Sequence, residues 1–243
     1  MNVSVQDKVF LITGAADGIG HAIARRMVAE GARVVCADIN SDKLHAAVAA
    51  LGPNARAVPC DVSREDQVDA MVAFADAEFG RVDVLINNAV WNIAGHLVDI
   101  AADDWRRMLD VNLTGVFLST RAVLKGMIAR GEGIVINMTS GMAVRGVANQ
   151  VPYCAIKAAI NSITNTLHQE VCPLGVHVHA VSPGVVDTAH ARRSVSQEHM
   201  QRAAQGYPGG KLGEPEDIAD LVQFLASPAG RNMAGGTAIY MKP

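Results

Sequence analysis

Short aliphatic runs alternate with longer, Ala-rich stretches of helical periodicity from Val9 onward. Val9–Thr13 is the first run, and Ile19, Ile23, Ala24, Met27 and Val28 follow it at helical spacing. Arg33–Asp38 and Gly133–Met138 read as strands, with further strands over 55–60, 82–87, 175–181 and 237–241. Helices are predicted over 42–51, 64–79, 103–130, 152–171 and 214–225. Ser63, with Asp66 three residues later, reads as the cap of the 64–79 helix. The strands are continuous Val, Ile and Leu runs, the pattern of strands covered on both faces. Alternation of this kind predicts an α/β fold, a doubly wound parallel sheet with helices on both sides. No repeat or linker interrupts it, so residues 1–243 read as one domain. Residues 184–212 are the least regular stretch and read as a substrate loop.

Composition narrows the function classes. Half of the residues are apolar, 19% are charged and only 4% are aromatic, so the core is expected from Ala, Val, Ile, Leu and Met. A net charge of -3 gives no bulk reason to bind nucleic acid or an anionic membrane. The pairs Arg25-Arg26, Arg106-Arg107 and Arg192-Arg193 read as solvated helix faces. No run of about 18 apolar residues occurs, so no membrane span is expected. Met1 to Lys8 lacks a signal-peptide pattern, and a reducing cytoplasm is the expected compartment. Cys36, Cys60, Cys154 and Cys172 have no metal-ligand spacing and read as reduced thiols. The eight histidines form no ligand set, so no metal is expected; His177 and His179 alternate on a strand and read as packing residues.

The turn between the first strand and the first helix carries more specific information. Thr13-Gly14-Ala15-Ala16-Asp17-Gly18-Ile19-Gly20 can turn sharply, bring backbone N–H groups to a pyrophosphate and add the positive end of a helix. This is the dinucleotide-binding turn of a Rossmann fold. Asp38 ends the second strand, 18 residues after Gly20. Its carboxylate can accept both ribose hydroxyls of an adenosine and would repel a 2′-phosphate; the alternative is a cap for the next helix. Asp17 adds a second negative charge, and neither Ile39 nor Asn40 is an arginine. NAD is therefore expected rather than NADP.

A second group sits later in the chain. Tyr153-Cys-Ala-Ile-Lys157 places a lysine one helical turn beyond a tyrosine, on the same face. A nearby ammonium is expected to lower the phenol pKa and make Tyr153 a proton donor or acceptor. Tyr207-Pro-Gly-Gly-Lys211 has the same text, but proline and two glycines cannot hold that geometry. Ser140 ends a strand 13 residues before Tyr153 and can hold a reacting oxygen beside it; the alternatives are a turn serine and its neighbour Thr139. Asn112 lies within a predicted helix, where asparagine is a poor former.

Together these segments resemble the short-chain dehydrogenases/reductases over nearly the whole chain. The turn fits Thr-Gly-x-x-x-Gly-x-Gly; Asp61-Val62, Asn87-Asn88-Ala89, Asn112, Ser140, Tyr153, Lys157, Pro183-Gly184, Thr188 and the Gly213-to-Ala219 segment match in order and spacing. The resemblance implies a catalytic tetrad of Asn112, Ser140, Tyr153 and Lys157, with Asn112 holding a water that links Lys157 to solvent. It implies cofactor contacts from Gly14, Asp17, Gly18, Ile19, Gly20, Asp38, Asp61, Val62, Asn88, Tyr153, Lys157, Val186 and Thr188. It also implies a homotetramer. Val90, His179 and the Tyr240-Met-Lys-Pro243 end depart from the family pattern.

The reaction expected is reversible hydride transfer between NAD(H) and a small alcohol or ketone. An NADP-dependent 3-oxoacyl thioester reductase and a non-catalytic nucleotide-sensing protein are the rival readings. Trp91, Asn92, His96, Met142, Arg145, Asn149, Gln150 and His190 are candidates for the substrate pocket. Arg145 could bind an anionic substrate or be a surface arginine, and Trp91 could form a pocket wall or pack on a helix.

Overall fold

In a computed structural model of the protein, residues 2–194, 197–230, 232, 233 and 235–241 are described. The chain runs β1 (Val9–Thr13), α1 (Gly18–Ala29), β2 (Arg33–Asp38), α2 (Ser41–Ala49), β3 (Ala55–Pro59), α3 (Glu65–Phe79) and β4 (Val84–Asn87). It continues through α4 (Ala102–Leu109), α5 (Gly115–Arg130), β5 (Gly133–Met138), α6 (Val151–Val171) and β6 (Val176–Ser182). The last elements are α7 (Ala189–Ser194), α8 (Gln197–Gln205), α9 (Pro215–Ala226) and β7 (Ala238–Tyr240). The strands form one parallel sheet in the order β3-β2-β1-β4-β5-β6-β7.

Strand periodicity divides the core in two. Phe10 and Ile12 of β1, Val34 and Cys36 of β2, and Val84 and Ile86 of β4 face one side, where α1 and α9 cover them. Leu11, Val35, Ala37 and Leu85 face the other side, under Met71 of α3 and Leu118, Val123 and Met127 of α5. A doubly covered sheet explains why the strands read as unbroken apolar runs rather than alternating ones. His179 is also buried, and its ring stacks on that of His177 at 6.2 Å. All four cysteines are free thiols.

Three local expectations are corrected. The 103–130 segment is two helices joined by a π-turn over Asp110–Thr114. Asn112 Nδ2 donates to the Met108 carbonyl at 2.9 Å, competing with the regular ladder of the helix. Ser63 is not a helix cap: its hydroxyl donates to Asp61 Oδ1 at 2.6 Å, and α3 begins at Glu65. The 184–212 stretch is not simply a loop, because it contains the short helices α7 and α8. The second Tyr–Lys text behaves as expected from its glycines. Gly209 and Gly210 have positive φ, and the Tyr207 hydroxyl accepts from Val185 N at 2.6 Å.

A buried polar chain ties the layers together. Asn87 Nδ2 donates to Thr120 Oγ1 at 3.0 Å and to Asn137 Oδ1 at 2.8 Å, while Asn137 Nδ2 donates to Thr164 Oγ1 at 2.9 Å. These bonds join β4 and β5 to α5 and α6. Asn137→Ala removes the middle partner and leaves buried groups unsatisfied. It is expected to lower unfolding stability by about 2–3 kcal/mol, measured as a shift of the urea midpoint.

Candidate active site

Parallel strands bring their carboxyl ends to one edge, and a crevice opens where the order reverses between β1 and β4. Thr13, at the end of β1, stitches this crevice. Its Oγ1 donates to the Ile86 carbonyl at 3.2 Å and accepts from the N–H groups of Asn88 and Ala89 at 3.0 and 3.1 Å. Asn88 Nδ2 donates in return to the carbonyls of Thr13 and Gly14, both at 3.0 Å. The turn has no room for a side chain at Gly14 or Gly20. A Cβ on Gly20 would lie 2.2 Å from the Gly14 carbonyl oxygen, and one on Gly14, at φ +65, would lie 2.9 Å from Ala89 Cα. A bare backbone at the start of α1 is what close approach of a pyrophosphate requires, so the residues fit a dinucleotide.

The crevice is a groove with two ends. Gly14, Asp38, Asp61, Val62, Ala89 and Val90 line the end beneath β2 and β3. Asp38 is not the cap of α2; Asn40 takes that position. Its Oδ2 accepts from Ala16 N at 3.1 Å and its Oδ1 from Asn40 N at 2.9 Å, which fixes the carboxylate at the groove mouth. Asp17 caps α1 through Gly18 N at 2.7 Å and pairs with Lys43. The sequence reading did not foresee that lysine, nor Arg107 and Val111, which also line this end. Ile19, Asn88, Val90, Tyr153, Lys157, Val186 and Thr188 line the other end. Thr188 also stands over the turn, since a Cβ on Gly18 would lie 3.5 Å from its Cγ2. Val90, where the family pattern has glycine, borders both ends.

Ser140, Tyr153 and Lys157 meet where β5 ends against α6. Lys157 is buried, and its Nζ donates to the Met138 carbonyl at 2.7 Å. The same ammonium lies 5.4 Å from the centre of the Tyr153 ring. The Ser140 hydroxyl accepts from Met142 N at 3.2 Å and lines the same end of the groove as Tyr153. Burial pushes the Tyr153 phenol up to about 12, and the Ser140 side chain offsets this only in part. Burial pulls the Lys157 ammonium down to about 8. The expected lowering of the phenol pKa is therefore corrected: desolvation dominates and raises it. Thr139 is not a rival for Ser140, because its hydroxyl donates to the Lys157 carbonyl at 3.3 Å. The Asn112 side chain is buried and turned to the backbone of Trp91. Its Oδ1 accepts from Trp91 N at 2.9 Å, and its Nδ2 donates to Trp91 O at 2.7 Å.

Beyond Ser140 the crevice widens into a cleft of about 630 Å³. Met142 and Arg145 line it, while Asn92 and Gln150 line the adjoining end of the groove. Trp91 packs against the Met108, Val116 and Ile156 cluster, with Arg107 stacked on its ring at 4.5 Å. It faces the nucleotide end rather than this cleft. His96 and Asn149 are exposed and border none of these cavities. The candidate at His190 lies outside the described side chains. Arg202, Val185 and Tyr240 complete the cleft and were missed; they come from segments distant in sequence and share no motif with it.

Comparison with known proteins agrees with this geometry. The family model for short chain dehydrogenases matches residues 8–199. Galactitol 2-dehydrogenase of Agrobacterium fabrum is 39% identical over 236 residues, 92% of this chain and 91% of that protein. The 3-oxoacyl-(acyl-carrier-protein) reductase FabG of Vibrio cholerae is 34% identical, covering 97% of this chain and 96% of its own. The crystal structure of 3-ketoacyl-(acyl-carrier-protein) reductase from Brucella melitensis complexed with NADH superposes with a TM-score of 0.91 at 31% identity, over 98% of both chains. By sequence, sheet order and the groove at its carboxyl edge, the chain belongs to the short-chain dehydrogenase family of oxidoreductases.

Proposed function

We propose that the protein reduces a small ketone to a secondary alcohol with NADH, Tyr153 giving the proton. The single observation that carries this reading is the meeting of Tyr153, Ser140 and the buried Lys157 at one end of the groove. When bound, the nicotinamide supplies the hydride. Ser140 and Tyr153 hold the substrate oxygen between their hydroxyls. The phenol, at about 12, is fully protonated at neutral pH and so is ready to donate. Lys157 holds positive charge beside the phenolate that proton donation leaves behind. Asn112 we assign to positioning, through its bonds to Trp91.

The preference for NAD rests on Asp38, whose carboxylate is held at the groove mouth and would repel a 2′-phosphate there, and on Lys43 being paired with Asp17. The NADH held by the Brucella reductase is in keeping with it. Likeness to the FabG reductase of Vibrio cholerae keeps a 3-oxoacyl thioester as the second substrate reading. The half-exposed Phe117 on α5, beside Leu124 and the Leu167 face of α6, supports association into a tetramer through these helices.

Three outcomes test the proposal. Turnover of a ketone panel should be at least about tenfold higher with NADH than with NADPH, and Asp38→Ala should narrow that gap. Tyr153→Phe should lose about 10²- to 10⁴-fold in kcat, while fluorescence titration still detects NADH binding; undiminished turnover rejects the proton-donor role. The rate of reduction should hold below pH 8 and fall above it, because Lys157, at about 8, sheds its charge there. A rate that stays level to pH 10 excludes a part for that charge.

A further inference from the structure

The cleft beyond Ser140 contains an arginine that nothing neutralises. Arg145 follows the 3-10 turn Gly141–Ala143, and its backbone N–H donates to the Gly141 carbonyl at 3.1 Å. Its guanidinium folds back over that turn, since a Cβ on Gly141 would lie 3.5 Å from Nη2. Gly141 is the residue after Ser140, and Arg145, an exposed residue, lines the same cleft as that serine.

Other arginines with described side chains have partners. Most hold a carboxylate, as Arg56 holds Glu78 at 2.6 Å and Arg192 holds Asp187 at 2.7 Å. Arg130 donates to the Val82 carbonyl at 2.6 Å, and Arg107 stacks on Trp91 at 4.5 Å. Across the cleft, Arg202 holds Glu198 at 3.1 Å. Among the described residues, Arg145 has no carboxylate, carbonyl or aromatic ring as partner for its guanidinium. The remaining wall is largely apolar, with Met142, Val144, Val147 and Val185.

A free guanidinium over an apolar wall is matched by a molecule with an apolar body and one anionic end. The planar fork of arginine pairs with both oxygens of a carboxylate. A phosphate monoester, with more charge and more acceptors, would call for further donors than a single guanidinium supplies. We propose that the substrate is an oxo acid, or in reverse a hydroxy acid, whose carboxylate is held by Arg145 while a short apolar spacer places its carbonyl at Ser140 and Tyr153. This rests on the oxidoreductase reading above and names its substrate class.

The test uses five- and six-carbon oxo acids with the ketone at successive positions, each paired with its primary amide. Reduction is followed for the wild type, Arg145→Met and Arg145→Lys. The best acid should exceed its amide in kcat/KM by about tenfold or more, mainly through KM, as expected for one charge-assisted pair. That ratio should collapse in Arg145→Met and recover in part in Arg145→Lys. A wild-type ratio near one overturns the proposal, as does a ratio that survives in Arg145→Met. Preference for dihydroxyacetone phosphate over every acid also overturns it. If no carbonyl compound is reduced with either cofactor, the oxidoreductase reading fails. Calorimetric titration with hexanoate and hexanamide then still decides the carboxylate site: binding of hexanoate alone, lost in Arg145→Met, upholds it, and equal or absent binding refutes it.

Discussion

Burying an ammonium costs several kcal/mol unless a good acceptor receives it. Lys157 meets that demand with the Met138 carbonyl at 2.7 Å, and this one bond sets the spacing of the site. Met138 is two residues before Ser140 on the β5 side, and Lys157 is one helical turn beyond Tyr153 on α6. The Thr139 hydroxyl closes the same seam from the other direction, on the Lys157 carbonyl. Two backbone-directed bonds thus hold strand end and helix at a separation where two hydroxyls can share one substrate oxygen. The chemistry follows from how the lysine is buried.

The sheet explains why such a seam lies beside a nucleotide groove. All the strands are parallel, so every β-to-α turn emerges on one edge, including the turns that carry Gly14, Asn88 and Ser140. Reversal of strand order at β1 and β4 leaves a gap there that no crossover fills. Thr13 and Asn88 spend their polar groups on spanning that gap, which holds the glycine turn in a fixed shape. The groove is rigid because its floor is hydrogen-bonded to the neighbouring strand rather than to its own turn.

The regular parts of the fold were legible because their cause is local. Leu11 and Phe10 face opposite cores, so both had to be apolar, and the run Val9–Thr13 shows it. The π-turn at Asp110–Thr114 was not legible, since Asn112 alone hinted at it and its side-chain partner, Trp91, lies 21 residues earlier in the chain. Helices α7 and α8 are short, six and nine residues, and rich in polar residues, so they looked like loop. Ser63 was misread because a capping pattern says nothing of Asp61, which holds its hydroxyl. At the site, the spacing of Tyr153 and Lys157 was plain in the sequence. The pKa of the phenol was not, because it depends on burial by segments far away in the chain.

Asn112 connects two places that look separate. Its amide clasps both backbone groups of Trp91, and the Trp91 ring carries the Arg107 guanidinium at the nucleotide end of the groove. The widened helix turn is therefore a bracket for the loop after β4 as well as a neighbour of the reaction centre. Trimming the amide would free that loop and the stacked arginine with it. A variant at this position would loosen the loop after β4 and the nucleotide end of the groove together, two places that the sequence keeps 21 residues apart.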